Sequence, residues 1–464
     1  MPTRRKPTCC RNFGRLLSPL QDGHTDHRYA QRLSAGGCGG SLTYFISHNW
    51  STRRVEKFLA LALYFNGPAA IVTSVCSQLA MFSLVMAGVV PRVTTSRAEN
   101  VCVWCTLLGA VTFWIVLLLW HEMDARLQFR RLRVFFDKVC INQSDTVAKQ
   151  EGIQYITAYL RQSEALLVLL SDVYLDKIWT VFELTAFMAL KPNAPVIVQP
   201  LPLATIVACL MGLMVLANTM EGVSGGTIYD HLIARRGPSI LVVATIFGIT
   251  AVLRCWGRAF VRLEKQLNTF SFDTTQCLHP EDREMIREAC FQIARSGLGP
   301  AATLQESCET VELHARMIVP GAMHRAISLT LIPWRYAVIL YLVAFSRILD
   351  GLCSAMPTLQ VQADMMLALA TALEVVVESL ALPVSLSIVG YFICYTPTSP
   401  LRELIRLLVL TAVSLSILMI AGGLMDQVIH PNSDGPAAQA TVLMFLLILE
   451  VSTVAHFYIC PCCR

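Results

Sequence analysis

The continuous apolar run Glu164-Ala-Leu-Leu-Val-Leu-Leu170 decides the fold of the polar part of this chain. A run of this length, followed from Ser171 by a loop, is typical of a strand that is buried on both faces. Such strands occur in parallel sheets that are covered by helices. The run therefore predicts a parallel sheet, to which the neighbouring segments should supply the other strands and the crossover helices.

The segments on either side of this run alternate between strands and helices. Residues 42–46 and 133–141 are predicted strands upstream, and residues 195–198 form a last short strand. Residues 147–162 carry apolar side chains at helical spacing, and residues 179–190 are predicted to form another helix. The alternation predicts a small α/β domain with a parallel sheet and crossover helices.

The composition of the whole chain excludes an ordinary cytosolic enzyme. The 464 residues are 55% hydrophobic and only 15% charged, and the mean hydropathy is +0.55. Soluble globular proteins carry about 25% charged residues, and disordered proteins need low hydrophobicity. The net charge of +5 is too small to imply nucleic-acid binding, but it suits a protein whose partner is an anionic lipid bilayer.

Most apolar residues are concentrated in runs that are long enough to cross a bilayer as a helix. A helix needs about 20 mostly apolar residues to do so. The third run is short and could begin near Pro200, and the sixth is interpreted as one tilted helix kinked near Pro383. Eight spans are predicted, at residues 67–90, 101–120, 203–218, 240–256, 332–349, 365–395, 405–424 and 439–459.

The distribution of Lys and Arg predicts the orientation of these spans. If the N-terminus is cytosolic, nearly all Lys and Arg outside the spans fall on the cytosolic side, and the outer loops 350–364 and 425–438 hold none. The N-terminus itself is basic and has no apolar core, so it is not a signal peptide. We therefore predict a multi-pass membrane protein with a cytosolic N-terminus, in a membrane that the sequence does not identify.

This orientation predicts that two glycosylation sequences remain unmodified. Asn49-Trp-Ser51 and Asn142-Gln-Ser144 match the acceptor pattern, and both lie on the predicted cytosolic side. Mass spectrometry of the protein from eukaryotic cells should therefore find no glycan at Asn49 or Asn142. A glycan at either asparagine would overturn the orientation.

Three stretches of the polar part carry a resemblance to a known family. They are YFISHNW at residues 44–50, VFFDKVCINQSD at 134–145, and LLVLLSDVYLDKIWTVFELTAF at 166–187. In this order they resemble a Toll/interleukin-receptor (TIR) domain, which implies a flavodoxin-like α/β fold. The second stretch also resembles the heterokaryon-incompatibility domain. The third is the most specific match, since Trp179 and Glu183 share the family's spacing, with a serine and a tyrosine upstream. The chain thus resembles multi-pass membrane proteins of unicellular eukaryotes that carry this domain.

The chain departs from the TIR pattern in three places. The family's first helix is missing in its usual form, and the chain enters the membrane twice between the first two strands. Residue 180 is threonine where many members have cysteine, and the family's final strand and helices are absent after Val198. Two spans return the chain to the side it left, so both parts of the domain can still pair in one compartment.

These boundaries predict seven segments. They are a basic cytosolic tail at 1–40, the start of the TIR-like domain at 41–66, a two-span insertion at 67–120, the rest of the domain at 121–200, a two-span hairpin at 201–256, a cytosolic helical segment at 257–331 and a four-span domain at 332–464. The segment at 257–331 is expected either to cap the TIR-like domain or to bind lipid headgroups.

The resemblance implies a candidate chemistry. Many TIR domains hydrolyse NAD at the nicotinamide–ribose bond with one glutamate, which by motif is Glu183 here, and Trp179 would shape the pocket. NAD is then a substrate, and no cofactor is required. In open parallel sheets ligands bind at the carboxyl ends of the strands, so we expect the residues at these ends to take part: Ser47, His48, Asp137, Lys138 and Ser171.

Each of these residues also has a structural interpretation. Trp179 could pack its helix on the sheet, Glu183 could be solvated or paired with Lys177, and His48 could be hydrogen bonded at a strand end. Asp137 could fix its loop. The sequence has no glycine-rich phosphate loop, which argues against P-loop nucleotide hydrolysis.

Three functions follow from these observations. The first is a membrane-anchored TIR-like signalling or interaction module that self-associates or binds another TIR domain. The second is the same module acting as an NAD hydrolase through Glu183. The third is a transporter or channel regulated by the domain, for which Glu374, Glu378 and Glu450 within the spans are candidates. Glu374 and Glu378 could instead lie at the membrane interface or pair with Arg347 or another helix. A repeated pair of broken helices would favour transport, and the sequence shows no such pair.

The 17 cysteines predict no metal site, because no pair of CxxC motifs has zinc spacing. Cysteines within the apolar runs, such as Cys102 and Cys105, are expected to pack as small hydrophobes. Cys9-Cys10 and the tail cysteines at 460, 462 and 463 are either palmitoylated or plain reduced thiols.

Overall fold

The computed structural model divides the chain into two compact units. The sheet unit comprises Met1–Phe65, Leu119–Ala204 and Ala259–Ile327, and the helix unit comprises Asn66–Leu118, Thr205–Arg258 and Ser328–Arg464. The structure describes residues 42–94, 101–127, 133–141, 153–224, 265–267, 269–277, 280–295, 303–326 and 334–362.

The secondary structure follows the alternation expected from the sequence. The strands are β1 (Leu42–His48), β2 (Val134–Phe135), β3 (Ser163–Leu170) and β4 (Val196–Pro200). The helices are α1 (Arg54–Phe65), α2 (Gly67–Met86), α3 (Trp104–Leu127), α4 (Asp137–Cys140), α5 (Ile156–Gln162), α6 (Ile178–Leu190), α7 (Leu201–Ser224), α8 (Pro280–Ile293), α9 (Leu304–Ala326) and α10 (Trp334–Gln362).

All four strands of the sheet are parallel, in the order β2-β1-β3-β4. The strand β3 is buried at every residue except Glu164, as its continuous apolar run predicts. The strand β2 is shorter than expected, because the chain turns into the short helix α4 directly after Phe136. The parallel pairing of β1 with β3 is present, with Ile46 opposite Leu167.

Aromatic side chains fix β1 to its neighbours in the core of the sheet unit. Phe45 is fully buried, and its ring stacks on that of Phe135 with 4.6 Å between the ring centroids. Tyr159 of α5 packs on the same Phe135 ring at 4.2 Å. The residues on either side of the two-helix insertion therefore share one core.

The helices α8 and α9 cover the outer face of α6. Both contact α6, and α9 also contacts β4. For this reason every residue of α6 from Ile178 through Met188 is buried except Trp179, although the hydrophobic residues of α6 occur without a clear helical stripe. Within residues 257–331, the two described helices α8 and α9 therefore pack over the sheet unit, which is the first of the two arrangements expected for this segment.

The insertion between β1 and β2 begins and ends at neighbouring points of the helix unit. The amide nitrogen of Asn66 donates to the backbone oxygen of Leu117 at 2.8 Å. Farther along, the Ser74 hydroxyl donates to the oxygen of Gly109 at 2.7 Å, so α2 and α3 approach closely where the glycine has no side chain. This hairpin returns the chain to its starting point, as the split domain requires.

The helix boundaries differ in part from the predicted spans. The helix α2 ends at Met86 rather than near Val90, because Gly88 adopts a positive φ of 73° and its N–H bonds to the oxygen of Val85. The helix α7 begins at Leu201, close to Pro200. The helix α10 continues to Gln362, where the sequence predicts a loop from residue 350.

Among the described residues one helix, Gly67–Met86, is long and apolar enough to cross a membrane, which by itself is weak evidence. Shorter apolar segments occur at Trp104–Trp120 and Leu201–Leu216. The predicted spans at 240–256, 365–395, 405–424 and 439–459 lie outside the described residues. The eight-span topology and its orientation therefore stay predictions.

The register of β1 and β3 predicts which introduced cysteines can be cross-linked. Tyr44 lies opposite Ala165, so a protein carrying Tyr44→Cys and Ala165→Cys should form a disulfide after mild oxidation, since directly opposed strand residues are within the reach of about 7 Å between Cα atoms. Peptide mass mapping identifies the linked pair. The matched control combines Tyr44→Cys with Leu169→Cys, four residues farther along β3 and about 13 Å away. Equal linking of both pairs, or of neither, would contradict the composite sheet.

Candidate functional site

The order of the strands places the candidate site at the carboxyl ends of β1 and β3. The next strand after β1 in the chain, β2, lies on one side of β1, and β3 and β4 follow on the other side. The direction in which strands are added therefore reverses between β1 and β3. Ligands of open parallel sheets bind in the crevice outside the strands at such a switch point. Ser47 and His48 end β1 at this place, and Ser171 follows the end of β3.

A buried hydrogen-bond network joins β1 to α6 and to the loop after β3. The hydroxyl of Ser47 donates to Oε2 of Glu183 at 2.6 Å and lies 2.6 Å from the hydroxyl of Tyr174. When Glu183 is ionised, the single Ser47 proton is directed at its carboxylate, so Tyr174 then donates to Ser47. All three side chains are buried, with 7% of Glu183 exposed.

Burial changes the acid–base properties of this network. Burial raises the pKa of Glu183 well above its ordinary value, the negative charge of Asp137 raises it further, and the hydrogen bond from Ser47 lowers it. Burial also raises the pKa of Tyr174, as does the charge of Glu183. Glu183 therefore holds its proton at a higher pH than an exposed glutamate does. A buried carboxyl with a perturbed pKa at a sheet switch point is a candidate functional group.

A second group of side chains lies beside this network. Nδ1 of His48 is 3.6 Å from Oδ1 of Asp137, the first residue of α4. The indole nitrogen of Trp50 donates to Oδ2 of Asp137 at 2.5 Å, while 56% of Trp50 remains exposed. The ring of His48 stacks on Phe136 with 4.5 Å between centroids. Asp137 thus accepts from one exposed aromatic residue and faces one buried histidine.

Two buried polar atoms near these strand ends have no hydrogen-bond partner within the part of the chain that the structure describes. They are Oγ of Ser171 and Nδ2 of Asn49. An unpaired buried polar group costs about 1–3 kcal/mol, so a bound polar ligand or water at either atom would be stabilised. Asn49 is buried and accepts from the backbone and hydroxyl of Ser51 through Oδ1, while Asn142 lies outside the described residues.

The structure brings some of the predicted site residues together and separates others. Ser47 and Glu183 are in contact, and His48 and Asp137 face each other. Trp179 points elsewhere, since its indole nitrogen donates to Asp282 of α8 at 2.9 Å. The backbone of Lys138 lies in α4, and its side chain is outside the described residues.

Two sequence-based interpretations of Glu183 are wrong. The carboxyl is neither solvated nor paired with Lys177, whose Nζ donates to Gln276 at 2.6 Å instead. The physical reason is that Glu183 lies on the face of α6 that meets β1, where its carboxyl accepts the hydrogen bond from Ser47. Trp179 and Glu183 lie one turn apart, but their polar atoms bond to different partners.

Sequence reasoning assigned no role to Tyr174, Thr180 or Asp282. Tyr174 contributes the outer donor of the network. Thr180 holds the loop in place, because its hydroxyl donates to the backbone oxygens of Tyr174 and Lys177. The spacing of Tyr174 from Ser171 in residues 166–187 was a sequence signal that could have pointed to Tyr174. No local signal marked Asp282, which lies more than a hundred positions beyond Trp179 and meets it only through the fold.

Comparison of this chain with protein-family models, with curated proteins and with solved structures finds no match.

Proposed function

We propose that this chain is a membrane-anchored signalling or interaction protein whose cytosolic TIR-like domain binds a small polar ligand at the switch point between β1 and β3. The contact of Ser47 with Glu183 at this point is the observation that carries the proposal. The unpaired atoms of Ser171 and Asn49 support it, because they offer a ligand buried hydrogen-bond partners.

NAD cleavage is the reaction that these residues support best. The bond between C1′ of the ribose and the nicotinamide nitrogen breaks, its electron pair leaves with neutral nicotinamide, and positive charge develops on the ribose. An ionised Glu183 stabilises this charge. Water then adds to C1′ and loses its extra proton to solvent. Tyr174 and Ser47 position the carboxylate through their hydrogen bonds.

The alternative of a transporter or channel has no comparable support. Glu374, Glu378 and Glu450, on which it depends, lie outside the described residues. Self-association through the TIR-like domain is the partner interaction that the resemblance implies, and it does not require turnover.

Nicotinamide release by the purified full chain tests the proposal. We expect release from NAD by protein in lipid nanodiscs, with a higher rate when the molecules are clustered through a bivalent antibody against an N-terminal tag. Co-precipitation of two differently tagged copies measures self-association in parallel. Association without turnover would leave the interaction function and remove the hydrolase. The absence of both would contradict the proposed function.

A further inference from the structure

Three buried thiols converge within the helix unit. Cys102 lies two residues before α3, Cys105 lies in the first turn of α3, and Cys353 lies within α10. At most 4% of any of them is exposed. Their sulfur atoms all lie within 4.8 Å of one another. No other group of three such ligand-bearing residues occurs in the described ranges. We call these three residues the thiol cluster.

A carboxylate completes the thiol cluster as a possible fourth ligand. Oδ1 of Asp350, one turn before Cys353, accepts from the thiol of Cys102 at 3.1 Å. The same oxygen accepts from the backbone N–H of Cys105 at 2.9 Å, and Oδ2 accepts from that of Thr106 at 2.9 Å. These two bonds hold the carboxylate against the N-terminus of α3, where the helix dipole favours negative charge.

We propose that Cys102, Cys105 and Cys353 bind a metal ion of the zinc class as thiolates, with Asp350 as the fourth ligand. Thiolates and carboxylates are normal ligands for Zn²⁺, which takes four of them in structural sites. On binding, the three thiols release their protons to solvent. The metal then replaces the proton that now joins Cys102 to Asp350.

The distances in the cluster match this geometry after a small contraction. Zinc–sulfur bonds of about 2.3 Å in a tetrahedron set sulfur atoms about 3.8 Å apart and a sulfur and a carboxylate oxygen about 3.5 Å apart. The observed separations are at most 4.8 Å between sulfurs and 3.1 Å between Cys102 and Asp350. The three sulfur atoms would therefore have to move closer together by up to about 1 Å on binding.

The backbone around the cluster is already held in place by polar contacts. Nε of Arg92 donates to the oxygen of Cys353 at 2.8 Å, and the N–H of Cys102 donates to the hydroxyl of Ser354 at 2.9 Å. A metal ion would therefore fasten the loop after α2 to α10. The charge pattern of the sequence predicts that both segments lie on the same, outer side of the membrane.

The sequence could not predict this site, and it led us to expect none. Cys102 and Cys105 have the CxxC spacing, but the other two ligands follow about 250 positions later. Asp350 and Cys353 are themselves one helical turn apart, which places both side chains on one face of α10. The fold alone brings the two pairs together.

Cobalt substitution of the full chain tests the site. We use protein purified in detergent under reducing conditions, in a background of Cys460→Ser, Cys462→Ser and Cys463→Ser, because the tail thiols bind the same metals. One Co²⁺ per chain should bind, with the visible bands of a tetrahedral ion and sulfur-to-cobalt charge-transfer intensity for three thiolates. Zn²⁺ should displace it.

Substitutions within and outside the cluster separate the ligands from the other thiols. Cys353→Ser should remove about one third of the charge-transfer intensity. Asp350→Asn should weaken Zn²⁺ binding by more than the roughly 10–100-fold that loss of an outer-shell partner costs, because Asp350 is itself a ligand. The matched control is Cys209→Ser, which alters an exposed cysteine of α7 in the same unit and should change neither.

Three results would overturn the metal site. They are the absence of cobalt bands in the parent protein, unchanged bands in Cys353→Ser, and a disulfide between two of the three cysteines that mass mapping still finds under reducing conditions. If the Cys353→Ser protein does not fold, the cobalt spectrum of the parent protein decides whether the three cysteines bind the metal. Intensity for three thiolates supports the site, and intensity for fewer contradicts it.

Discussion

Glu183→Gln is expected to abolish nicotinamide release and to leave the sheet unit folded. The amide matches the shape of the carboxyl and still accepts the hydrogen bond from Ser47, but it cannot supply the negative charge that stabilises the ribose cation. Glu183→Ala should also abolish release. It should in addition destabilise the domain by about 1–3 kcal/mol, because Ser47 then loses a buried partner. Rates of nicotinamide release and thermal unfolding of the same samples measure both effects.

The structure changes the stability expected for the Glu183→Ala protein. An exposed helix glutamate could be replaced at a cost within about 0.5 kcal/mol, but Glu183 is only 7% exposed. The alanine variant is therefore expected to differ in stability from the glutamine variant. The control is Glu164→Gln, which alters an exposed carboxylate of β3 and should change neither rate nor stability. Turnover that survives Glu183→Ala would refute the catalytic role.

The raised pKa of Glu183 gives this prediction a pH dependence with a definite sign. The folded protein binds its proton more tightly than the unfolded chain, whose glutamates have a pKa of about 4.3. The contribution of Glu183 to stability is therefore greatest below that pH, and it decreases as the pH rises toward the raised pKa of the folded state. Glu183→Gln should remove this dependence. Turnover should change in the opposite direction and increase with pH as Glu183 ionises.

Phe45→Ala is expected to lower the free energy of unfolding of the sheet unit by about 3–5 kcal/mol. Phe45 is fully buried and stacks on Phe135 of the neighbouring strand. For a domain of this size the loss corresponds to a decrease of about 6–20 °C in the melting temperature. Pulse proteolysis of the full chain, with cleavage followed in β3 and α6, measures the change where it is expected.

This substitution tests whether β1 belongs to the same domain as β3 despite the two-helix insertion. If residues 42–48 formed a separate peptide, the protease resistance of β3 and α6 would not change when Phe45 is replaced. Val55→Ala is the matched control, since Val55 is 74% exposed on α1, the next helix along the chain. It should alter stability by no more than about 0.5 kcal/mol.

The strands and their parallel arrangement were predictable because their patterns are local. A continuous apolar run such as residues 164–170 is stable only with both faces covered, so it predicts a central strand wherever it occurs. The length of β2 was not predictable in the same way. Val134–Phe135 is followed by residues that suit either a strand or a turn of helix, and only packing selects α4.

The candidate site was predictable as a set of positions and not as a set of contacts. Strand ends of a parallel sheet meet at one edge, so Ser47, His48 and Asp137 could be grouped from sequence. The partner of each side chain could not, because hydrogen bonds depend on distances of a few tenths of an ångström. Trp179 shows the difference, since its indole bonds to Asp282 of a segment whose position no local pattern predicts.

The sequence by itself determined the class of this protein: a chain rich in apolar runs that carries one small α/β sheet with polar residues at its strand ends. These properties follow from hydrophobic periodicity, which acts over a few residues. Only the tertiary structure decided that Glu183 is buried against Ser47 and that Cys353 meets Cys102 and Cys105. Both depend on elements that are far apart in the chain and become neighbours only when their apolar surfaces are buried together.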